Sequence, residues 1–579
     1  MASIAENLQT LFLEAVKNTV GPVEKYHPSI APSGQPQFGH YQFNDAMKLA
    51  KGLSRGSPYT LASQIIQQLP RNNIIEKAEV AGPGFINISI SPQFLLDRLK
   101  TIDLNQSQDK TAPLEAQTIL LDYSSPNIAK EMHVGHLRST IIGDCLANIF
   151  EYSGHRVHRI SHLGDWGTQF GMLIAYLKSK FPVSEISEKS LAGNDLISLY
   201  QSARRLFDEQ PNFQETARQE VVALQSGDFQ SQKIWKILCD LSQSSFQEIY
   251  LKLNIQIKTQ GESFYNPLIP KTIEELSQKG MVTESEGALC IFLPGFKTPE
   301  GNPLPLIIQK KDSGYNYAST DLAALRYRFQ TIKANKVLYI TDAGQTLHFQ
   351  QIFASARQAG WIKEGHEVIH IPFGLVLGED GKKLKTRSGE TIKLMTLIGE
   401  AEKRALAIAE QKEPENDPTR NRYIAHILGL AALKYADLSQ HRMSDYVFSF
   451  DKMLSLDGNT APYLIYAYVR IQGIARKGNL DFSRPLDTHS LHWIHPLEKN
   501  LALQLVQFDE ALSAVLRDFL PNRLCEYLYQ LSQLFNRFYQ QCRVLGSENE
   551  ATRILLCHWT ARTLAKGLSL LGIKVVEKL

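Results

Sequence analysis

Cysteine is scarce in this chain. Six cysteines are spread over 579 residues, and no two of them form a CxxC pair. Structural zinc sites and disulfide frameworks both need clustered cysteines, so neither is expected, and a reducing cytoplasm is favoured. The chain also lacks an apolar run of about 18 residues, which argues against a membrane span. Its first residues lack the basic and apolar blocks of a secretory signal.

A strong excess of one charge is also missing. Sixty-two Lys and Arg residues oppose 59 Asp and Glu residues, which leaves a formal net charge of +3. A nucleic-acid partner is therefore allowed, but local basic residues would have to bind it. A chain of 579 residues is too long for one hydrophobic core, so several domains are expected.

The most informative segment covers residues 118–142. An apolar run, Ile119–Leu121, predicts a buried strand, a polar loop with Pro126 follows, and a helix is expected to begin near His133. In an open α/β sheet, ligands bind beyond the carboxyl ends of the strands. The layout of this segment therefore predicts a nucleotide site.

Two histidines mark the start of the expected helix. His133 and His136 are three positions apart, so they share one face of a helical turn. The N-terminus of a helix attracts phosphate, Gly135 lets a ligand approach the backbone, and Lys130 can supply a mobile cation. The same spacing also fits a pair of surface histidines or a metal site, although no second ligand cluster stands nearby.

The alternation of segments predicts three domains. Strand-like and helix-like stretches alternate over residues 113–420, which predicts a Rossmann-like, doubly wound parallel sheet with a mostly helical insertion at 172–250. Residues 1–112 predict a small α+β domain. Residues 421–579 lose the strand signal and predict an α-helical bundle, with one helix expected over Leu501–Leu520.

Both terminal regions carry patterns that fit nucleic-acid binding. In the N-terminal region, isoleucines alternate with Phe85 and Asn87, so one strand face is apolar and the other presents a ring and an amide. That face fits either a plain polar surface or a platform for an unpaired base. In the C-terminal region, Tyr463 and Tyr466 precede Arg470 at a spacing typical of a helical core or of base stacking.

The run SSPNIAKEMHVGHLRST, at 124–140, resembles the extended HIGH signature that arginyl-tRNA synthetases carry among the class I synthetases. DWGTQFG at 165–171, YNYASTDLAAL at 315–325 and EDGKKLKTRSGE at 379–390 resemble further motifs of that family, in order. The resemblance covers nearly the whole chain. Two positions depart from the usual patterns: Glu131 stands where proline is more common, and Thr386 replaces the second lysine of KMSKS. Most arginyl-tRNA synthetases share the second departure, which Lys130 is thought to compensate.

The resemblance implies an arginine–tRNA ligase. Such an enzyme activates L-arginine with ATP and Mg2+ to arginyl-adenylate, then transfers it to the 3′ end of tRNA(Arg), releasing AMP and pyrophosphate. It implies a cytoplasmic monomer with no zinc and no resident metal, and adenylate formation that needs bound tRNA. The residues it implies are Lys130, His133, Gly135, His136, Lys383, Lys385 and Arg387 for ATP and catalysis, Asn127, Glu262, Tyr317, Asp321 and Gln345 for arginine, and Phe85 and Asn87 for tRNA.

Physical chemistry separates this assignment from its alternatives. A guanidinium needs carboxylates around its planar fork, which Glu262 and Asp321 offer, whereas a glutamate pocket would need a basic contact there. A cysteine-specific enzyme would call for a zinc–thiolate site. A non-catalytic tRNA-binding relative would have no use for the phosphate site of Lys130, His133 and His136. A small adenylyltransferase would not need the C-terminal bundle. The resemblance implies that this bundle binds the anticodon and that the N-terminal domain touches the outer corner of tRNA.

Overall fold

The computed structural model describes residues 3–23, 26–34, 38–53, 56–102, 116–128, 130–191, 196–311, 314–384, 392–412, 417–482 and 491–578. The chain divides into two compact units. One unit contains Ala112–Ser455 and Leu570–Ile573. The other combines the two ends of the chain, Met1–Thr111 with Leu456–Ser569 and Lys574–Leu579.

The described strands are β1 (Ile30–Pro32), β2 (Tyr41–Phe43), β3 (Ile75–Ala81), β4 (Phe85–Ile90), β5 (Thr118–Asp122), β6 (Arg156–Ser161), β7 (Lys258–Thr259), β8 (Thr283–Ser285), β9 (Ala288–Lys297), β10 (Pro303–Gln309), β11 (Lys336–Asp342), β12 (Glu367–Phe373), β13 (Val376–Leu377) and β14 (Tyr446–Val447).

The described α-helices are α1 (Ile4–Val20), α2 (Ala46–Leu53), α3 (Pro58–Gln67), α4 (Pro92–Lys100), α5 (Val134–Tyr152), α6 (Thr168–Lys180), α7 (Glu188–Leu191), α8 (Leu196–Glu209), α9 (Pro211–Ser226), α10 (Phe229–Lys252), α11 (Glu262–Tyr265), α12 (Ile269–Gln278), α13 (Tyr317–Gln330), α14 (Thr346–Gln358), α15 (Leu394–Lys412), α16 (Pro418–Leu438), α17 (Phe450–Met453), α18 (Ala461–Lys477), α19 (Pro496–Val506), α20 (Phe508–Asp518), α21 (Asn522–Gln541) and α22 (Glu550–Leu570).

A five-stranded parallel sheet forms the centre of the larger unit. Its strand order is β12-β11-β5-β6-β7, and every neighbouring pair is parallel. Helices cover a parallel sheet on both faces, which explains why the apolar run Ile119–Leu121 is fully buried in β5. The chain leaves β5 toward β6 on one side and returns to β11 on the other. This order confirms the doubly wound fold, and it puts the switch point, where such folds bind ligands, between β5 and β11.

The insertion between β6 and β7 is helical, as predicted. Its described residues form the five α-helices α6 to α10, of which α10 is the longest at 24 residues. A second insertion, between β7 and β11, contains the antiparallel sheet β10-β9-β8. Both insertions therefore leave the parallel sheet from the carboxyl ends of its strands, the edge at which a ligand is expected.

The larger unit continues to Ser455, past the boundary expected near 420. Helix α16 belongs to it, and the buried Lys434 of that helix donates hydrogen bonds to the carbonyl oxygens of Leu253 and Gly572, at 2.6 and 2.7 Å. Strand β14, which follows α16, pairs in parallel with β13. Loss of the strand signal at 421 therefore does not mark a domain boundary, because helices of the α/β unit follow that point.

The smaller unit joins the N-terminal sheet to the C-terminal helices. Its sheet has the order β1-β2-β4-β3. The phenol of Tyr41 in β2 donates to Glu510 Oε2 at 2.9 Å and accepts from Gln507 Nε2 at 2.9 Å. Backbone N–H of Ala5 donates to Glu510 Oε1 at 2.9 Å. The two end regions, which the sequence predicts as separate domains, therefore share buried polar contacts.

One helix prediction in this unit was wrong. The expected helix over Leu501–Leu520 is two helices, because α19 ends at Val506 and α20 begins at Phe508. Gln507 lies at the break and its side chain bonds to Tyr41. The break is therefore accompanied by a contact between two residues that are 466 positions apart in the sequence. The local hydrophobic pattern does not predict this contact.

The described residues can be searched for disulfides, metal-binding groups and membrane-crossing helices. All six cysteines are buried free thiols. Within the described ranges, we find no group of three or more His, Cys, Asp and Glu residues arranged to hold a metal ion. No helix among those described has the length and apolar character that crossing a membrane requires.

Candidate active site

The two histidines of the HVGH motif form a hydrogen-bonded cap at the start of α5. The N–H of Gly135 donates to His133 Nδ1 at 3.1 Å, and the N–H of His133 donates to His136 Nδ1 at 3.0 Å. The ring centroids are 4.0 Å apart. Because both Nδ1 atoms accept, each neutral ring carries its proton on Nε2. The cap therefore fixes both tautomers and leaves two N–H donors.

Burial and nearby cations keep these rings uncharged. Burial, together with the charges of His133 and Lys130, lowers the pKa of His136 to about 3. Burial also lowers the pKa of His133, and Lys383 and Lys130 add to that shift. At neutral pH the pair is a set of neutral donors with positive charges nearby, an arrangement suited to phosphate.

The basic loop of the KMSKS-like motif reaches this cap. The backbone of Lys383 forms an isolated β-bridge with that of Leu377. The charge of Lys383 lies near enough to His133 to lower the pKa of the imidazole. Lys385 and Arg387, which the sequence assigns to ATP, lie outside the described residues. Lys130 is exposed, and its Nζ atom is 5.6 Å from the centre of the Tyr200 ring.

Arg138 anchors that loop to α5, a role that sequence patterns did not reveal. Its buried guanidinium pairs with Asp437 at 3.0 Å and donates to the carbonyl oxygens of Gly374 and Ser444, at 2.7 and 3.3 Å. Gly374 lies directly before residues 375–382, the segment that leads to Lys383. The helix that begins with the histidine cap therefore also holds the base of the basic loop.

Acidic side chains collect at the carboxyl ends of β5 and β6. Asp122, the last residue of β5, pairs with the fully buried Arg328 at 2.6 Å. Burial raises the pKa of Asp122, but Arg328 and His162 outweigh it and hold the pKa at about 2. Asp321 bonds to His348 at 2.6 Å, and its other oxygen is 4.0 Å from His162. No sequence motif identified His162, which directly follows β6.

Glu262 completes this acidic group from α11, just after β7. Burial raises the pKa of Glu262 to about 8, although His162 opposes the shift, and the charges of Asp321 and Asp165 add to it. Asp165, from the DWGTQFG motif, accepts hydrogen bonds from the backbone and side chain of Ser263 at 2.8 and 2.6 Å. The glycine-rich turn after β6 therefore fixes the loop that presents Glu262.

The other predicted arginine contacts surround this group. Tyr317 begins α13 and is 69% exposed, and its phenol pKa is raised by burial and by the charge of Glu262. Asn127 is exposed on the loop after β5, and its backbone forms an isolated β-bridge with that of Gly164. Gln345 is also exposed, and its amide donates to Asp342 at 3.2 Å, so in this structure it is held at the end of β11.

Gly261 is packed so closely that a larger residue should disturb the loop that presents Glu262. A Cβ atom at Gly261 would lie 2.1–2.5 Å from the Asp165 carboxylate. We expect Gly261→Ala to cost about 1–3 kcal/mol of stability through overpacking and to raise the arginine KM by displacing Glu262. Gly399→Ala is the control, because a Cβ there meets nothing within 4 Å and α15 gains a better helix former. Thermal unfolding and arginine titrations measure both effects, and an unchanged KM for Gly261→Ala would contradict the prediction.

The predicted tRNA contacts lie in the smaller unit. Phe85 is half-buried in β4. Asn87 is only 9% exposed, and its side-chain oxygen accepts from Gln42 at 2.9 Å. The polar face of the sheet is thus more covered than the sequence suggested. Among the C-terminal helices, Arg470 stacks 4.9 Å over Tyr466, whose ring is 40% exposed.

Three family profiles match successive parts of the chain. The Arginyl tRNA synthetase N terminal domain matches residues 6–90. The tRNA synthetases class I (R), catalytic domain, matches residues 98–450, and the DALR anticodon binding domain matches residues 464–579. The chain belongs to the arginyl-tRNA synthetase family. It is a class I aminoacyl-tRNA synthetase that acts as an arginine–tRNA ligase.

Relatives and solved structures support this membership along the full length of the synthetase. Arginine–tRNA ligases from a Synechococcus strain and from a Synechocystis strain are 50% and 49% identical to it, with both chains fully covered. The arginyl-tRNA synthetase of Plasmodium falciparum shares 33% identity with a TM-score of 0.87, again with both chains fully covered. The Thermus thermophilus enzyme, at 24% identity, has the same fold, with a TM-score of 0.80 over 99% of this chain and 100% of that chain.

Proposed function

We propose that the carboxyl edge of the parallel sheet, around the switch point between β5 and β11, binds the guanidinium of arginine beside the triphosphate of ATP. The observation that carries this proposal is the pairing of an acidic group, Glu262 with Asp321, and a capped pair of neutral imidazoles, His133 and His136, at one edge of the sheet. The first group suits a cationic fork and the second suits developing negative charge.

On the phosphate side, the protein positions charge rather than forming covalent bonds. The arginine carboxylate attacks the α-phosphate in line, and pyrophosphate leaves. The Nε2–H groups of His133 and His136 donate to phosphate oxygens, while Lys130 and Lys383 supply positive charge. Gly135 leaves room for this contact. ATP enters as its Mg2+ complex, and the ion neutralises phosphate charge with few protein ligands. Lys385 and Arg387 belong to this group in the proposal.

On the amino-acid side, the carboxylates of Glu262 and Asp321 bind the two edges of the guanidinium. Lysine is rejected because its ammonium is a point charge that cannot reproduce the planar guanidinium fork. Buried acceptors of the pocket would then remain unpaired. Tyr317, exposed at the start of α13, closes over the side chain. Asn127 contacts the backbone end of the substrate, and Gln345 is a further arginine contact.

The smaller unit binds tRNA(Arg) in this proposal. Phe85 and Asn87 contact the outer corner of the tRNA, and the C-terminal helices contact the anticodon. The exposed ring of Tyr466, with Arg470 over it, offers one stacking surface there. The enzyme acts as a cytoplasmic monomer.

Aminoacylation of total tRNA with arginine, lysine or glutamate tests the substrate assignment directly. Only arginine should be joined to tRNA at a substantial rate. Comparable charging with lysine would contradict the role given to the two carboxylates, and charging with glutamate would contradict the pocket as a whole.

Adenylate formation should require tRNA. We expect ATP–pyrophosphate exchange with arginine alone to be negligible and to appear when tRNA(Arg) is added, because the family resemblance implies that adenylate formation needs bound tRNA. The control is the same exchange with a tRNA of another specificity. Robust exchange without any tRNA would contradict this expectation.

A further inference from the structure

His162 carries a largely covered imidazole, 10% exposed, to which the proposed reaction assigns no role. Its ring centre is 5.2 Å from that of Tyr265. Its Nδ1 atom faces two carboxylates, 3.7 Å from Asp122 Oδ2 and 4.0 Å from Asp321 Oδ1. The imidazole therefore connects Asp321, the proposed guanidinium ligand, to the buried pair of Asp122 and Arg328.

Ionisable groups face His162 from every element packed against it. They are Asp122 at the end of β5, Asp165 after β6, Glu262 and Tyr265 on α11, Asp321 and Arg328 on α13, and, through its bond to Asp321, His348 on α14. Four carboxyl groups in this set oppose one guanidinium. Because burial disfavours unpaired charge, an empty pocket favours extra protons, whereas the cation of the substrate can replace them.

We propose that His162 is a positioning residue for arginine. Without substrate its imidazolium stands between Asp122 and Asp321, which also bonds to His348, and it releases its proton to solvent when the substrate guanidinium arrives. The proposal rests on the arginine pocket proposed above. The atoms balance because each released proton passes to the buffer: the His162 imidazolium loses one proton, and Glu262 loses another as its carboxylate accepts the same guanidinium. An imidazolium that stayed would repel the incoming cation.

The protonation of the pocket supports this exchange. Burial lowers the pKa of His162, but Asp122 and Asp321 outweigh it and raise the pKa above its usual value. Glu262, with its pKa raised to about 8, also holds a proton near neutral pH and must lose it to accept a guanidinium. Both groups bind protons more tightly in the empty pocket than beside a bound cation. Arginine affinity should therefore rise with pH and level off above about pH 8.

Calorimetric titration with arginine in two buffers of different ionisation enthalpy counts the released protons. At about pH 6.5, where an ordinary histidine is half protonated, the wild type should release more than one proton, one from Glu262 and the rest from His162. His162→Asn keeps an amide that can donate to the same carboxylates but does not titrate. It should release about one proton at most, and its arginine KM in aminoacylation should depend less steeply on pH. His162→Gln is the second variant if His162→Asn folds poorly.

His158→Asn is the matched control. It makes the same change on β6, next to Arg156 and Lys258 instead of the acidic group, and should keep the wild-type proton count. Release of one proton or fewer by the wild type, or a wild-type count in His162→Asn, would overturn the role of His162. Failure of the proposed arginine pocket would give a different result from failure of the His162 role. In that case Asp321→Asn would bind arginine as tightly as the wild type does.

Discussion

Asp321→Ala is expected to raise the arginine KM far more than the ATP KM. Asp321 is 17% exposed and holds one of the two carboxylates that face the proposed guanidinium site. Truncating one partner of a buried, hydrogen-bonded charge pair costs about 2–5 kcal/mol. That cost corresponds to roughly 30-fold to several-thousand-fold in affinity. Steady-state aminoacylation with each substrate varied in turn measures the effect.

The split between the two KM values is the informative readout for Asp321. Asp97→Ala is the control, because Asp97 lies on α4 of the smaller unit and its side chain accepts from Gln93. It should leave both KM values unchanged. Equal increases in the arginine and ATP KM values for Asp321→Ala would remove Asp321 from the arginine pocket.

His136→Asn should reduce kcat by about 10²–10³-fold while the arginine KM changes little. The loss of one donor to transition-state charge typically has this size, about 2.7–4 kcal/mol. The asparagine oxygen can still take the place of Nδ1, which accepts the N–H of His133 at 3.0 Å. The variant therefore retains the helix cap and loses only the Nε2–H donor. Single-turnover adenylate formation measures the chemical step.

Two comparisons separate catalysis from capping at His136. His136→Gln reaches toward the Nε2 position and loses the cap, so it should retain more activity and less thermal stability than His136→Asn. His495 is a histidine cap without the proposed role, since its Nδ1 accepts from Leu497 at the start of α19. His495→Asn should keep the wild-type kcat. A wild-type kcat in His136→Asn would contradict the assignment.

Local sequence signals predicted the parts of the site that depend on local structure. The apolar run at Ile119–Leu121 is a buried strand, and the helix expected to begin near His133 begins at Val134, with His133 as its cap. Ser3 and Glu6 have the three-residue spacing of a capping box, and that box forms at the start of α1. Each of these features depends on residues a few positions apart, which is the range over which a sequence pattern is informative.

Contacts between distant residues could not be predicted in the same way. Asp122 and Arg328 are 206 positions apart, and neither has a neighbour that identifies its partner. His162 had no motif of its own, although it stands three residues before the recognised DWGTQFG run. The union of the two chain ends depends on Tyr41 and Glu510, a buried phenol and acid whose pairing leaves no periodic pattern.

A crystal structure of the enzyme with a non-hydrolysable sulfamoyl analogue of arginyl-adenylate tests the central claim most directly. The account predicts that the guanidinium lies within hydrogen-bond distance of Glu262 and Asp321, and that the sulfamoyl group lies against the Nε2 atoms of His133 and His136. An analogue bound with its guanidinium away from both carboxylates, or with its sulfamoyl group away from both imidazoles, would contradict it.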